Sequence, residues 1–532
     1  MLTDLLLTGP SAGESISWPH GEVLRVESLG GWLAGTRADA LLFWDSRLGI
    51  PDARVLEGLL HGRGDVWHAG LRLGTGGQPG LLDFVAPNWM LNCDPPADIE
   101  ATSWRVSPAA CLVRTTVLRQ LGLPCNDFDT LAGAMLEWGH RAIKCGAFVR
   151  HVPRLVRSST NDVESPSLVD ELRFISYRYS RFWAQWASAR AGLTGYASPG
   201  QLLRAWRSLP AQRPYAEPAA YRSERSLGVP ELPRARVTVL IPTLNRYPYL
   251  HVVLENLCAQ TLPPHEVILI DQSDADRREP DLAAKYPDLT IRHLFRDSPG
   301  QCSSRNAGLR ASTGDFIMFL DDDDELVPDL IERHLRNLYA FDADVASGSI
   351  VEVGQSAPPA GEQFTRASDV FPTGNSLVRR EVLQRTGLFD LAFDRAPRAD
   401  GELGMRVYLS GAFMVLDQSV PVMHHRASEG GLRTHRARAV TYRMSREMLR
   451  HRNLPHISEI YLLSRYFTER QLRESLWLRT FGTLAGRGTA ARRAVKALIG
   501  GVQLPDTLKQ IAERRRASEE WLTRFPQIET LD

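Results

Sequence analysis

Six cysteines in 532 residues, at 93, 111, 125, 145, 258 and 302, are too scattered for a disulfide framework. They form no close pairs, which also argues against a zinc site. No apolar run approaches the roughly 20 residues needed to span a bilayer; Val495–Leu504 is short and holds two glycines. A basic segment leading into a long apolar core is missing at the N-terminus, so no signal peptide is expected. A cytoplasmic protein is expected, at most peripheral at the inner face of a membrane. Net charge is missing too: 63 Lys and Arg against 62 Asp and Glu leave +1. The total charge says nothing about partners, and no nucleic acid is expected. Its distribution says more, because residues 426–532 carry 21 Lys and Arg against 11 Asp and Glu.

The most informative stretch present is Ile317-Met318-Phe319-Leu320-Asp321-Asp322-Asp323-Asp324. A continuous apolar run reads as a buried strand, and it ends in four carboxylates. In open α/β sheets ligands bind beyond the carboxyl ends of the strands. If the chain stays extended, Asp321 and Asp323 project to one side. Two hard oxygen ligands so placed suit Mg2+ or Mn2+ shared with phosphates. The plainer reading is an acidic cap on a helix over Leu326–Leu338.

The chain also repeats itself. Cys111–Phe148 aligns without a gap on Ser376–Phe413, with 16 of 38 positions identical. Upstream, Ala40–Asp45 sits where Phe316–Asp321 should. Two copies of one αβ module are expected, and they are not equivalent. Asp45-Ser46-Arg47-Leu48 stands for the four aspartates, and Met135 stands for Asp400. The first copy also has about half as much chain before its strand end. It reads as a degenerate, non-catalytic module over 1–165, serving packing, contact between copies of the chain, or acceptor positioning.

Residues 166–234 read as a helical segment and linker. Leu172, Ile175, Tyr177, Phe182, Trp183 and Trp186 recur at helical spacing and belong to a core, and 208–235 is rich in Pro, Arg and Ser. The second module opens with the strand Val237–Ile241, a helix over Tyr249–Gln260 and a strand Glu266–Ile270 ending in Asp271. This βαβ unit implies a largely parallel sheet. After Gly430 the pattern is helical and basic to residue 532.

Several strand ends and loops converge: Pro242-Thr243-Leu244-Asn245-Arg246, Asp271, the acidic run and Arg398-Ala399-Asp400-Gly401-Glu402. Upstream of the acidic strand, Ser298–Gly308 offers small residues and Arg305, a planar donor. Together with Gly314–Leu320 and Asp400–Arg406, these motifs resemble the inverting family-2 glycosyltransferases, in that family's order, over about residues 235–430. The resemblance implies a GT-A fold, a UDP-, dTDP- or GDP-sugar donor and a divalent cation, Mg2+ or Mn2+. By the same likeness, Thr243, Arg246, Asp271 and Arg305 surround the base and ribose. Asp321 and Asp322 face the ribose and diphosphate, Asp323 is the main metal ligand, and Asp400 is the catalytic base. The family's usual acidic residue just before the base is Ala399 here, which leaves Glu402 as the fallback.

His424 and His425 resemble the family's late histidine that reaches metal or diphosphate. The loop Arg426–Arg433 reads as a lid or as a solvated basic turn. A nucleotidylyltransferase would want a Gly-rich basic loop after the first strand, and Pro-Thr-Leu-Asn-Arg stands there instead. A glycan-binding scaffold would not need Asp321, Asp323 and Asp400 together. The acceptor is expected to be a saccharide or lipid-linked glycan, in surface polysaccharide assembly.

Overall fold

In the computed structural model the sequence repeat becomes a repeat of topology. The structure describes residues 1–8, 18–25, 29–71, 80–157, 164–210, 213, 215–223, 231–356, 358–432 and 441–532. The first sheet comprises β1 (Thr3–Thr8), β2 (Val23–Leu24), β3 (Ala40–Asp45), β4 (Val66–His68), β5 (Ala101–Thr102), β6 (Ala110–Arg114) and β7 (Val149–His151). The second comprises β8 (Val237–Thr243), β9 (Glu266–Asp271), β10 (Ile291–Phe295), β11 (Phe316–Phe319), β12 (Asp324–Leu326), β13 (Val345–Glu352), β14 (Thr365–Ala367), β15 (Ser376–Arg379) and β16 (Met414–His424). Their orders are β2-β1-β3-β6-β4-β7-β5 and β10-β9-β8-β11-β15-β13-β16-β12, with β14 on β16.

Without β10 and β12, the second order matches the first strand for strand. The sense of pairing also matches at every step. Both copies run parallel, parallel, antiparallel, antiparallel, parallel, antiparallel. The second sheet is therefore mixed. Its parallel character is concentrated in β10-β9-β8-β11, where the βαβ pattern lies, and the chain reverses at β15.

Identical residues explain the identical geometry. Gly122 and Gly387 each end a short helix at positive φ, 78° and 86°, a conformation that favours glycine. Arg141 and Arg406 each reach back to the carbonyls around that glycine. Asp65 and Asp344 each accept the N–H of the phenylalanine that follows Gly-Ala, Phe148 and Phe413.

The copies pack on one another through their equivalent parts. Phe148 meets Phe413 edge to face, ring centres 5.2 Å apart, and the tilted ring of Phe341 at 4.9 Å. The helix Leu131–Lys144 touches β14, and its counterpart Ala399–Leu409 touches β5. Such reciprocity is the mark of a two-fold arrangement, here within one chain.

The intervening segment forms helices Leu168–Arg178, Arg181–Leu193 and Pro199–Arg207. Leu172, Ile175 and Tyr177 are buried there, whereas Phe182 is 64% exposed and leaves the expected core. The described part of the linker is strapped to the first module: Tyr221 donates its N–H to Cys145 O, and Tyr215 its hydroxyl to Glu137. Helices Thr441–Glu447, Ile457–Tyr466, Glu469–Gly482, Ala490–Val502 and Leu504–Arg524 complete the chain. Among the described residues no helix is long and apolar enough to cross a membrane.

Candidate active site

The site is built at the carboxyl ends of β8, β9 and β11. Past Thr243 the chain turns through Asn245, left-handed at φ 55°, a conformation asparagine tolerates. Ser273 Oγ accepts the Asn245 N–H at 2.8 Å. The turn carries Arg246 and Tyr247 back over the strand ends. Asp271, fully buried, accepts from the Tyr247 hydroxyl and the Ser273 N–H, and lies 3.3 Å from His293 Nε2 on β10. Burial pushes its carboxyl up, and bonds from His293, Ser273 and Tyr247 overturn that, leaving it at about 2. Asp271 is thus an ionised floor group that positions Tyr247 and His293 and exposes no oxygen. Neither partner was evident from the sequence, because each meets Asp271 only through the fold.

Arg305 does not lie on a loop. It belongs to the helix Gln301–Ala311, which packs on β8 and β9. A Cβ on Gly308 would come within 2.8 Å of both Ile270 and Leu240 side chains, so glycine is what lets this helix sit so close. Arg305 Nη2 then meets Asp321 at 2.7 Å.

The acidic run departs from expectation. The chain turns at Asp322 and Asp323 instead of staying extended, so Asp321 and Asp323 meet different partners. Nor does the run cap the following helix, which starts only at Leu330, because Asp324–Leu326 pairs with Val422–His424 as β12. Asp322 accepts from Thr243 Oγ1 at 2.8 Å and from Arg246 Nη1 at 2.9 Å. The same nitrogen lies 3.2 Å from Asp323, whose other oxygen takes the Ala427 N–H at 2.8 Å. Burial pushes Asp322 up to about 6 despite Arg246.

Residues 427–431 lie across this guanidinium. Glu429 O accepts from Arg246 Nε at 3.0 Å, and the Gly431 N–H donates to Leu244 O at 2.9 Å. Arg433, the last residue of the expected lid, lies outside the described residues.

The donor set suits a divalent cation in chemistry, with hard carboxylate oxygens beside an imidazole. His424 Nδ1 lies 3.0 Å from Asp324 and 3.6 Å from Asp323. Burial alone would lower His424, and Asp324 with its acidic neighbours holds it above the usual range. His425 does not join: its Nε2 ends on Glu325 at 3.1 Å, on the exposed side of β12, which removes it from the expected ligands. Among the described residues no three His, Cys, Asp or Glu are gathered to hold a metal, and Arg246 stands where Asp323 would offer its oxygen.

Asp400 lies in the first turn of the helix Ala399–Leu409. Arg398 before it is left-handed at φ 85°, strain of the kind stored at functional sites, and donates to Glu459 at 3.1 Å. Asp400 is exposed and accepts the Gly401 N–H at 2.8 Å. Glu402 is the opposite. It is fully buried, bidentate to Arg406 at 2.7 and 2.8 Å, and receives the Tyr466 hydroxyl. It faces the packed interior, and the fallback assignment as base fails on that ground.

A family model described as Glycosyl transferase family 2 matches residues 238–388. An uncharacterized glycosyltransferase of Bacillus subtilis, YwdF, is 32% identical over 168 residues, 29% of this chain and 62% of that protein. A Haemophilus influenzae glycosyltransferase is 34% identical over 100 residues, 19% of this chain and 33% of its own length. The chain thus spans less than two thirds of these relatives. Among solved structures, the mannosyltransferase PcManGT from Pyrobaculum calidifontis, in complex with GDP-Man and Mn2+, gives a TM-score of 0.37 at 18% identity, over 63% of this chain and 95% of that one. A likeness that weak says nothing about this chain's ligands.

Proposed function

We propose, from the match of a Glycosyl transferase family 2 model to residues 238–388, that the protein moves a sugar from a nucleotide-sugar donor to a hydroxyl of a glycan or glycoconjugate, with inversion at the anomeric carbon. The observation that carries this reading is the polar cluster at the strand ends, where Thr243, Arg246, Asp322 and Asp323 are tied together and Arg305 holds Asp321. Asp400 stays open to solvent on a separate helix. Ligand sites beyond the carboxyl ends of parallel strands are the rule for such sheets.

In this reading Asp400 takes the proton of the acceptor hydroxyl as its oxygen bonds to the anomeric carbon. The bond to the nucleoside diphosphate breaks on the opposite face, and its electron pair leaves with the diphosphate. Arg246 and Arg305 are the planar donors for charge that builds there. Asp323 and His424, 3.6 Å apart, are the residues that would hold a divalent cation once Arg246 leaves Asp323, and such a cation would supply further neutralisation. The Ala427–Gly431 backbone over Arg246 keeps water from the leaving group. No second carboxylate is needed for a covalent intermediate, consistent with Glu402 being engaged elsewhere. A place in surface polysaccharide assembly is supported by kinship alone.

Calorimetric titration of UDP, dTDP and GDP, each with and without Mn2+, into wild type and Asp323→Ala tests the donor site. One nucleotide should bind the wild type and lose affinity in the variant. Absence of binding under every condition would favour a scaffold.

A further inference from the structure

A cavity of about 560 Å³ opens beside Asp400, and three separate parts of the chain build it. Trp89 and Met90 come from the first module, Ile350 and Phe371 from the second, and Leu462 and Phe467 from the C-terminal helices. The walls are close to the proposed base. A Cβ on Gly401 would stand 3.9 Å from Leu462 Cδ1. They are also close to the acidic run, because a Cβ on Gly374 would stand 3.2 Å from Asp321 Oδ2 and 3.4 Å from Ile350 Cδ1. One glycine therefore separates the donor side from this cavity.

The ionised groups in the wall are already matched. Asp369 accepts from Trp89 Nε1 and Arg366 Nη1, each at 2.8 Å. Glu459 takes Arg398 at 3.1 Å and Arg479 at 2.8 Å. What faces the space is mainly hydrocarbon, with Asp400 as the carboxylate that meets no other side chain among the described residues. Asn88, Gln418 and Ser475 add amide and hydroxyl groups suited to a sugar, within a lining that is otherwise largely hydrocarbon. The cavity matches the usual ligand pocket, apolar with a few placed polar groups.

We infer that the cavity takes a hydrocarbon aglycone, so that the acceptor is a sugar carried on an alkyl or lipid chain, its hydroxyl held at Asp400. The inference rests on the reading of Asp400 as the base, and it gives the first module a task. Lacking acidic ligands of its own, that module supplies the Trp89 wall of its partner's acceptor site.

The test uses the full chain and the β-glucosides methyl, butyl, hexyl and octyl, below their micelle concentrations, with binding followed by calorimetry. Affinity should rise about fourfold per buried methylene until the cavity is filled. Trp89→Ala and Leu462→Gln, in wall segments from different parts of the chain, should each flatten the series while nucleotide affinity stays as in wild type. Equal affinity from methyl to octyl would overturn the inference, as would a series that neither substitution changes. Failure of every nucleotide to bind would instead strike the donor reading, leaving the chain-length dependence standing.

Discussion

Glu137 and Glu402 occupy the same point of two modules and make the same contacts. Each is fully buried, each pairs with an arginine one helical turn on, Arg141 or Arg406, and each receives a tyrosine hydroxyl from a following segment, Tyr215 or Tyr466. Asp400 has no such twin: Met135 stands in its place, with none of its surface exposed. A duplicated module thus separates what the fold needs from what chemistry needs. A feature kept in a copy without acidic ligands answers to packing, and a feature confined to the other copy is free to answer to a reaction. The additions to the second sheet point the same way. β10 carries His293 to Asp271, and β12 begins at Asp324 and closes the acidic run against His424.

The sharpest way to break this contrast is to change Asp400 and Met135 in parallel. Asp400→Asn should lower turnover by about 10²–10⁴-fold, the range expected for a lost general base, with the melting temperature unchanged. Met135→Ala should leave turnover per folded molecule intact and cost about 2–5 kcal/mol of stability by opening a cavity. Asp400→Asn at wild-type rate would mean that the base lies elsewhere.

Glu402→Gln and Glu137→Gln come next. Each leaves an arginine buried beside a neutral amide, and breaking a buried pair costs about 3–5 kcal/mol. Denaturant melts of the two variants should therefore match, and each should retain turnover in its folded fraction. A Glu402→Gln protein that melts like wild type but does not turn over would return Glu402 to the chemistry.

Arg246 offers a smaller effect. Its guanidinium and a divalent cation compete for Asp323, so Arg246→Met should tighten Mn2+ binding without nucleotide by about tenfold, on the scale of one nearby charge at the edge of water. Nucleotide diphosphate should bind more weakly in the same variant. Unchanged Mn2+ affinity would show that the two do not share the carboxylate.

How far the sequence foretold this depends on how local each signal is. The repeat was legible because glycines at positive φ and buried alternating residues must recur wherever the backbone recurs, as at Gly122 and Gly387. The strands ending at Thr243 and Asp271 were legible from their apolar β-branched runs. The turn at Asp322 was not, since pairing of Asp324–Leu326 with β16 overrides both the extended reading and the helix start. Arg246 across Asp322 and Asp323, Tyr466 on Glu402 and Trp89 lining one cavity with Asp400 join residues far apart in sequence, where periodicity has nothing to say. The exposure of Phe182 shows the converse, an aromatic at core spacing that stays on the surface, edge to face with Trp183.

The mildest contrast concerns Asp45, which ends β3, and Asp321, which follows β11 by two residues. In the first copy Asp45 closes on its own turn, accepting the Arg47 N–H at 3.0 Å and Arg47 Nη2 at 2.7 Å. In the second, the equivalent Asp321 is about a third exposed and is held from another helix by Arg305. An aspartate satisfied by its own turn is a cap. One held from a distance, at the edge of a cleft, remains available to a ribose or a cation. Asp45→Asn should therefore cost no more than about 1 kcal/mol, as lost caps do, with donor affinity unaltered. Asp321→Asn should leave the melting temperature within a degree or two and weaken nucleotide binding several-fold by calorimetry. Equal and purely thermal effects from the two would reduce Asp321 to the same structural part as Asp45 and shift the donor's contacts onto Asp322, Asp323 and Arg305.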